Sequence, residues 1–490
     1  MTQSRADQPA EGSGNEADHS ALRDELRTLI HTWNPALTTD LGDSTSLIAS
    51  GLIDSLALFN LILWIETKSG RTIDAVSIDA AREWDSIAAI LRYLDRAPQE
   101  PRTVTPEPIK PERRRSRYQV VKYDSSVKRA VAEFQTGLWS PEPDRNLRYL
   151  EWKYEENPFQ GGHIFLALDG DNIVGMRGFY PSLWEVGAPT RRVPFLVADD
   201  LLVSEQHRNK GVSKELMRTA RDHLRTSGER YVINISGGPI TVVESLATGW
   251  RSAGVLGPIA RKRSRFAQYP KLRQRVRRYI SASPANRGYQ LDEPTPFARL
   301  HRGQTRYQTD PSLSVEIDDR PRISAMVDLI QRIGHDGRWR HVRDELYLRW
   351  RYRNPLREYR FLYAGDDLAL SGFLVLRRSI DRDPPSQEVS IVDMEAINEE
   401  VESALVNVAI RKGEFDDIAA WTGTLSRHTQ NELRRLGFSL GTARLTASGT
   451  PCILVWSLDE AEGDARWHLD GTALLEPSEW DMRSIYTMVG

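Results

Sequence analysis

Apolar positions in this chain change rhythm twice. After the polar opening MTQSRADQPAEGSGNEADHS, Leu22, Leu26, Ile30 and Trp33 recur at helical spacing, which predicts a helix over 21–33. A second helix is predicted from Ser55 to Lys68, and a third from Ile87, Ile90, Leu91 and Leu94, with Asp85 and Ser86 in capping position. Residues 98–117 hold five prolines and no apolar period, so an extended linker follows. From Tyr118 the pattern becomes α/β. Strands are predicted over Tyr118–Tyr123, Gly162–Leu168, Ile173–Tyr180, Val193–Val203, Tyr231–Ile235 and near Gly254, and helices over Val127–Leu138, after Gly211 and over Ile240–Ala247. The second and third strands read as a hairpin turning at Asp169 to Asn172.

The α/β half repeats itself. Tyr149-Leu150-Glu151-Trp152-Lys153-Tyr154 with Asn157-Pro158 is echoed by Tyr347-Leu348-Arg349-Trp350-Arg351-Tyr352 with Asn354-Pro355. A hairpin follows each, Phe165-Leu166 to Gly178-Phe179 in one copy and Phe361-Leu362 to Gly372-Phe373 in the other, which argues for duplication. The second copy continues with strands over Glu388–Ala396 and Ile418–Trp421 and a helix ending at Leu433 to Phe438.

Composition narrows the class. A chain of 490 residues needs two to four cores, and a net charge of −2 gives nucleic-acid binding no support. The single cysteine, Cys452, leaves no disulfide and no thiolate metal cluster, and its setting PCILVW places it in a buried strand. The longest apolar stretch, Leu56–Ile65, is too short to cross a bilayer and contains Asn60. No membrane partner and a cytoplasmic location are expected.

The stretch Val203 to Ser213, VSEQHRNKGVS, resembles the acyl-CoA-binding motif of the GNAT acyltransferase superfamily, an Arg or Gln followed by x-x-Gly-x-Gly/Ala after a hydrophobic strand. Arg208 and Gly211 match; Ser213 departs but is still small. The resemblance implies that Val203, Arg208, Asn209, Lys210, Gly211, Val212 and Ser213 bind the pyrophosphate of an acyl-CoA donor. It also implies a base on the fourth strand, where Asp199 and Asp200 stand. Alternation would put them on opposite faces, with Asp199 beside Val197, Leu201 and Val203. Where many family members have a tyrosine proton donor, before Gly249-Trp250, this chain has Ser245; His163 and His207 are alternative acid-base groups. The second copy has INEEVESAL in place of the anion loop, so a pyrophosphate would meet Glu395, Glu399 and Glu400; this copy is expected to be structural or to bind acceptor.

Gly51-Leu52-Ile53-Asp54-Ser55-Leu56 resembles the Asp-Ser-Leu motif of acyl carrier protein and peptidyl carrier domains, which implies a 4′-phosphopantetheine on Ser55, attached by a phosphopantetheinyl transferase. Residues 20–97 carry 11 acidic and 7 basic side chains, only mildly acidic for that family.

The expected architecture is multidomain: a disordered tail (1–19), an all-α carrier bundle (20–97), the linker (98–117), a catalytic α/β GNAT-like domain (118–266), a basic connector (267–310) and a degenerate α/β GNAT-like domain (311–490), both built as mixed sheets flanked by helices. The expected activity is acyl transfer between a phosphopantetheine thioester and a small-molecule amine, in specialised metabolite biosynthesis. An acyl- or aminoacyl-activating ligase would act in trans. Loading of the carrier thiol from acyl-CoA, and a non-catalytic scaffold that docks partners, are the alternatives.

Overall fold

The computed structural model describes residues 13–33, 41–48, 52–53, 55–69, 83–95, 117–208, 210–238, 241–242, 245–246, 248–262, 305–310, 313–365, 369–381, 388–413, 417–422, 425, 427–439, 452–459, 464–469 and 471–488. The start of the expected tail, the linker apart from Arg117, most of the basic connector and Asn209 lie outside them. The chain divides into two compact units: Met1–Arg115 with Gly238–Ala247 and Thr446–Thr450, and Ser116–Gly237 with Thr248–Leu445 and Pro451–Gly490.

Among the described residues of the first unit, three helices, α1 (Ser13–Trp33), α2 (Ser55–Ser69) and α3 (Ile87–Asp95), bury residues that set their period. Leu26, Ile30, Leu58, Leu61, Ile65, Ile87 and Ile90 share one core with Trp84. Helix α1 begins at Ser13 rather than near Ser20. Ser86 caps α3 by accepting the Ala89 N–H at 3.2 Å. Asp85 does something else: it accepts the Ile48 N–H at 2.7 Å and the Ser46 hydroxyl at 2.8 Å, pinning the loop ahead of α2.

The second unit holds two mixed sheets flanked by helices. In the first sheet β1 (Gln119–Lys122), β2 (His163–Asp169), β3 (Asn172–Val186) and β4 (Arg191–Val203) are antiparallel neighbours, and β4 runs parallel to β5 (Tyr231–Asn234). Helix α4 (Lys128–Phe134) and helix α5 (Pro143–Leu150) lie between β1 and β2 in sequence, and helix α6 (Val212–Thr226) packs on β2 and β3. Beyond β6 (Arg251–Val255) and β7 (Pro258–Lys262) the second sheet repeats the order. It contains β8 (Thr305–Asp310), β9 (Leu313–Asp318), β11 (Arg357–Gly365), β12 (Leu370–Ser379), β13 (Glu388–Ala396) and β14 (Asp417–Trp421). Helix α7 (Ile323–Ile333), β10 (Trp339–His341) and helix α8 (Glu345–Arg351) precede β11; helix α9 (Glu399–Gly413) and helix α10 (Arg427–Arg435) flank β14, and β15 (Cys452–Ser457) is followed by the short strands His468–Leu469, Thr472–Ala473 and Trp480–Asp481.

The sheets exchange strands across the sequence boundary expected at 266. β7 pairs with β14 in the second sheet, and β15, carrying buried Cys452, enters the first sheet between β5 and β6. Each sheet is thus completed by a strand from the other half of the chain. The repeated motifs meet face to face. The Trp152 and Trp350 rings stack at 4.7 Å, and each indole N–H donates to the other's backbone carbonyl, at 2.9 and 2.8 Å.

Strand register corrects the pairing of the repeats. Gly175 faces Ala167 and Val203, and Gly372 faces Ala364 and Ala396, so Gly372 answers to Gly175 rather than to Gly178. Both glycines lie under the following helix: a Cβ on Gly175 would stand 2.5 Å from Val212 Cγ1, and one on Gly372 2.5 Å from Val401 Cγ1. A two-residue Gly-Phe echo is therefore less diagnostic than a steric requirement at a helix-sheet contact.

Candidate active site

The first copy has one residue more than the second. Tyr149 and Tyr347 are 198 apart in sequence, Asn157 and Asn354 only 197. The extra residue is absorbed in a π-helical turn, Glu151–Glu155, closed by the Glu156 N–H on the Glu151 carbonyl at 2.8 Å. That turn places Lys153, fully buried, against strand β4. Its Nζ donates to Asp199 Oδ2 and lies within ion-pair distance of Asp200 Oδ2, both at 2.8 Å. The rings of Trp139, Tyr149, Tyr154 and Tyr180 surround it, with centroids 5.2–5.4 Å away. In the second copy Arg351 holds backbone and a phenol and lies over the Trp152 ring. It donates to the carbonyls of Ile485 and Thr487 and to the Tyr359 hydroxyl.

Asp199 and Asp200 do not point to opposite faces. Asp200 has φ 54°, and the β3–β4 register shifts between Met176 and Gly178, so two residues of β4 oppose one of β3. This β-bulge breaks the alternation and turns both carboxylates toward Lys153. They differ in access. Asp200 is buried and saturated, its Oδ1 accepting the Trp139 indole N–H at 2.9 Å and its Oδ2 the Tyr154 hydroxyl at 2.5 Å. Asp199 keeps about a tenth of its side chain exposed (11%) and accepts the Ser236 hydroxyl at 3.2 Å. Burial pushes the Asp200 carboxyl above the ordinary carboxylate range, against the pull of Lys153. The Tyr154 phenol is pushed up by burial and then by Asp200, which keeps it a proton donor. One cation serves two carboxylates, and burial disfavours the charged form of Asp200. Asp199 is left as the carboxylate that can meet a substrate proton.

β4 and β5 pair at only two positions, Leu196 with Val232 and Val197 with Ile233. Beyond Val197 no described strand covers the outer edge of β4, so the bulge and Asp199 stand at an open edge. The strand ends at Val203, whose carbonyl accepts the Arg208 Nε at 3.4 Å. Arg208 is half exposed and Lys210 exposed. Gly211, at φ 80°, is the left-handed N-cap of α6, and nothing lies within 4 Å of where its Cβ would be. The loop is thus a cradle open to an anion at a helix N-terminus, with Val212 and Ser213 buried beneath it. In the second copy α9 starts three residues after β13 with Glu399, Glu400 and Glu402 in its first turn, a site that repels an anion.

The other candidates fall elsewhere. Ser245 spends its hydroxyl hydrogen on the Thr241 carbonyl at 2.6 Å, in a segment that groups with the N-terminal unit. His207 is held by Ser204 at 2.9 Å and Asp169 at 3.2 Å, and buried His163 packs on Phe165 and His223. Lys153, Tyr154 and Trp139 are the members that sequence reasoning missed. The one-residue offset between the repeats was the available signal.

Residues 126–236 match the Acetyltransferase (GNAT) family. This segment is a GNAT acetyltransferase domain. It spans Lys153, the β4 bulge and the anion loop, and ends at Ser236 beside Asp199, so the chain contains an acyltransferase domain of this type. Similar solved structures include a GCN5-related N-acetyltransferase from Anabaena variabilis, 11% identical, covering 70% of this chain and 73% of that one with a TM-score of 0.45. A tandem GNAT protein from the clavulanic acid biosynthesis pathway is 12% identical, covering 70% and 100%, with a TM-score of 0.42. A GCN5-related N-acetyltransferase from Kribbella flavida is 13% identical, covering 69% and 70%, with a TM-score of 0.41. No curated protein matches the sequence. Among the described residues, no helix is long and apolar enough to cross a membrane.

Proposed function

We propose that this acyltransferase works with a phosphopantetheinylated carrier at its own N-terminus, moving an acyl group between a phosphopantetheine thioester and a small-molecule amine in a biosynthetic pathway. The observation that carries the reading is the partly exposed Asp199 carboxylate at the open edge of β4, on the strand that leads into the Arg208–Ser213 cradle. Amine acylation needs an acceptor for the amine proton beside a site for the donor, and Asp199 on Lys153 and Ser236 is such an acceptor. The loop suits the pyrophosphate of CoA, because Gly211 leaves its amides approachable and the half-exposed Arg208, paired with Glu205 at 3.9 Å, can exchange that partner for phosphate. Ser55 suits the other attachment. It is the first residue of α2, whose first turn has no acidic side chain, so a phosphodiester there, next to Asp54 in the sequence, meets the positive end of the dipole. Phosphopantetheine supplies the thiol that carries the acyl group as a thioester. A phosphopantetheinyl transferase and an acyl- or aminoacyl-activating ligase are the partners this requires.

Intact-protein mass spectrometry tests the reading. After treatment with a broad phosphopantetheinyl transferase, wild type should gain one phosphopantetheine and Ser55→Ala none. With acyl-CoA and a panel of amines, amide formation should fall at least tenfold in Arg208→Ala. Failure of wild type to gain the arm, beside an active transferase control, removes the carrier and leaves the acyltransferase. Stable acylation of the arm itself, with no amide, would indicate thioester loading instead.

A further inference from the structure

The second copy has its own opening. β13 and β14 pair only over Glu388–Ser390 and Asp417–Ala419, and where they part a half-open cavity of about 180 Å³ lies along residues 391–396. Cavities of about 150 Å³ hold a benzene ring, so this one has room for a small ligand body. Part of its wall is apolar, with Met394, Trp421, Leu425 and Met482. The rest is charged, and the charges do not balance. Arg343 and Arg483 bridge the carboxylates of Asp393 and Glu395, and Arg483 also holds Asp481 at 3.1 Å. Glu402 adds a fourth carboxylate to the lining. The remaining cations nearby are engaged: Arg338 with Asp336 at 2.6 Å, and His428 with Glu399 at 3.1 Å.

Three lining residues carry a polar atom with no hydrogen-bond partner in the protein: Asp393 Oδ2, Glu402 Oε1 and Ser484 Oγ. Asp393 and Ser484 are more than nine-tenths buried. By register Asp393, opposite Val375, is the counterpart of Asp199, opposite Gly178, and there the contrast is sharp. Asp199 has both oxygens occupied by protein donors, whereas Asp393 has one to spare. Three acceptors around a cavity with surplus negative charge are the complement of a primary ammonium, which offers three N–H donors. We infer that the cleft of the second copy binds a small primary amine, its ammonium on Asp393, Glu402 and Ser484 and its apolar body against Met394, Trp421 and Met482. This does not depend on the carrier or on the direction of acyl transfer.

Titration calorimetry on the full chain at neutral pH tests it, with phenethylamine and hexylamine as probes and phenylacetate, hexanoate and pantetheine as comparisons. Both amines should bind and both acids should not. Glu402→Gln and Ser484→Ala, checked for an unchanged urea transition, should each weaken phenethylamine about tenfold. Four results overturn the inference: no amine binding, equal binding of amine and acid, amine binding that both variants leave unchanged, or pantetheine displacing the amine. The last would make the cleft a remnant of a donor site.

Discussion

Replacing Lys153 with methionine keeps the length of the side chain and removes the ammonium that lies between two carboxylates. Each Nζ–oxygen separation is 2.8 Å, which at an effective dielectric of about 20 is roughly 6 kcal/mol of attraction per pair. Mutual repulsion of the carboxylates and desolvation of all three groups offset most of this. Removing one partner of a buried ion pair typically costs about 3–5 kcal/mol, and that is the loss expected in Lys153→Met. The loss must depend on pH. The Asp200 carboxyl already lies above its ordinary value of 3.8 because of burial, with Lys153 pulling it down, so Lys153→Met raises it further. A carboxyl raised in the folded state stabilises fully below its unfolded pKa, and that contribution is lost as pH rises through the folded pKa. The deficit should therefore be largest at alkaline pH and shrink as acid protonates the pair. Urea unfolding, followed for the transition of the GNAT unit across a pH series, reads this directly. Adding Asp200→Asn to Lys153→Met removes the surplus charge and should restore about half the loss. A Lys153→Met protein within about 1 kcal/mol of wild type at alkaline pH, or a loss that is flat with pH, would refute the electrostatic account.

Two further outcomes follow from packing and burial. Gly175→Ala drives a Cβ to 2.5 Å from Val212 at the start of α6, so it should cost about 1–3 kcal/mol and raise the KM for the CoA donor. Gly372→Ala makes the same clash with Val401 and should cost similar stability in urea, with no change in donor KM. His163 is held neutral by burial, its pKa lowered from 6.5 to about 4. A histidine so depressed loses stability as pH falls from 6.5 toward 4, and His163→Gln should make that part of the stability profile less steep, leaving the contributions of His223 and His341, which burial lowers as well.

Much of this molecule is local, and the sequence determined that part alone. The three N-terminal helices follow from apolar residues at helical spacing, Ser86 caps where its type and place require, and Gly211 takes the left-handed turn that only glycine adopts without strain. The duplication was legible in the paired Tyr-Leu-x-Trp motifs, and so was the loss of the anion loop from the second copy. Tertiary structure decided the rest. Alternation along β4 predicted Asp199 and Asp200 on opposite faces, but a bulge is set by register against β3, which no periodicity within β4 encodes. In the sequence Lys153 is one member of a repeated motif; the π-helical turn and four aromatic rings make it the cation of a buried cluster. The exchange of β7 and β15 joins strands from opposite halves of the chain. Such pairings are fixed by which edge remains unpaired when the two sheets come together, a property of the assembled fold rather than of any segment.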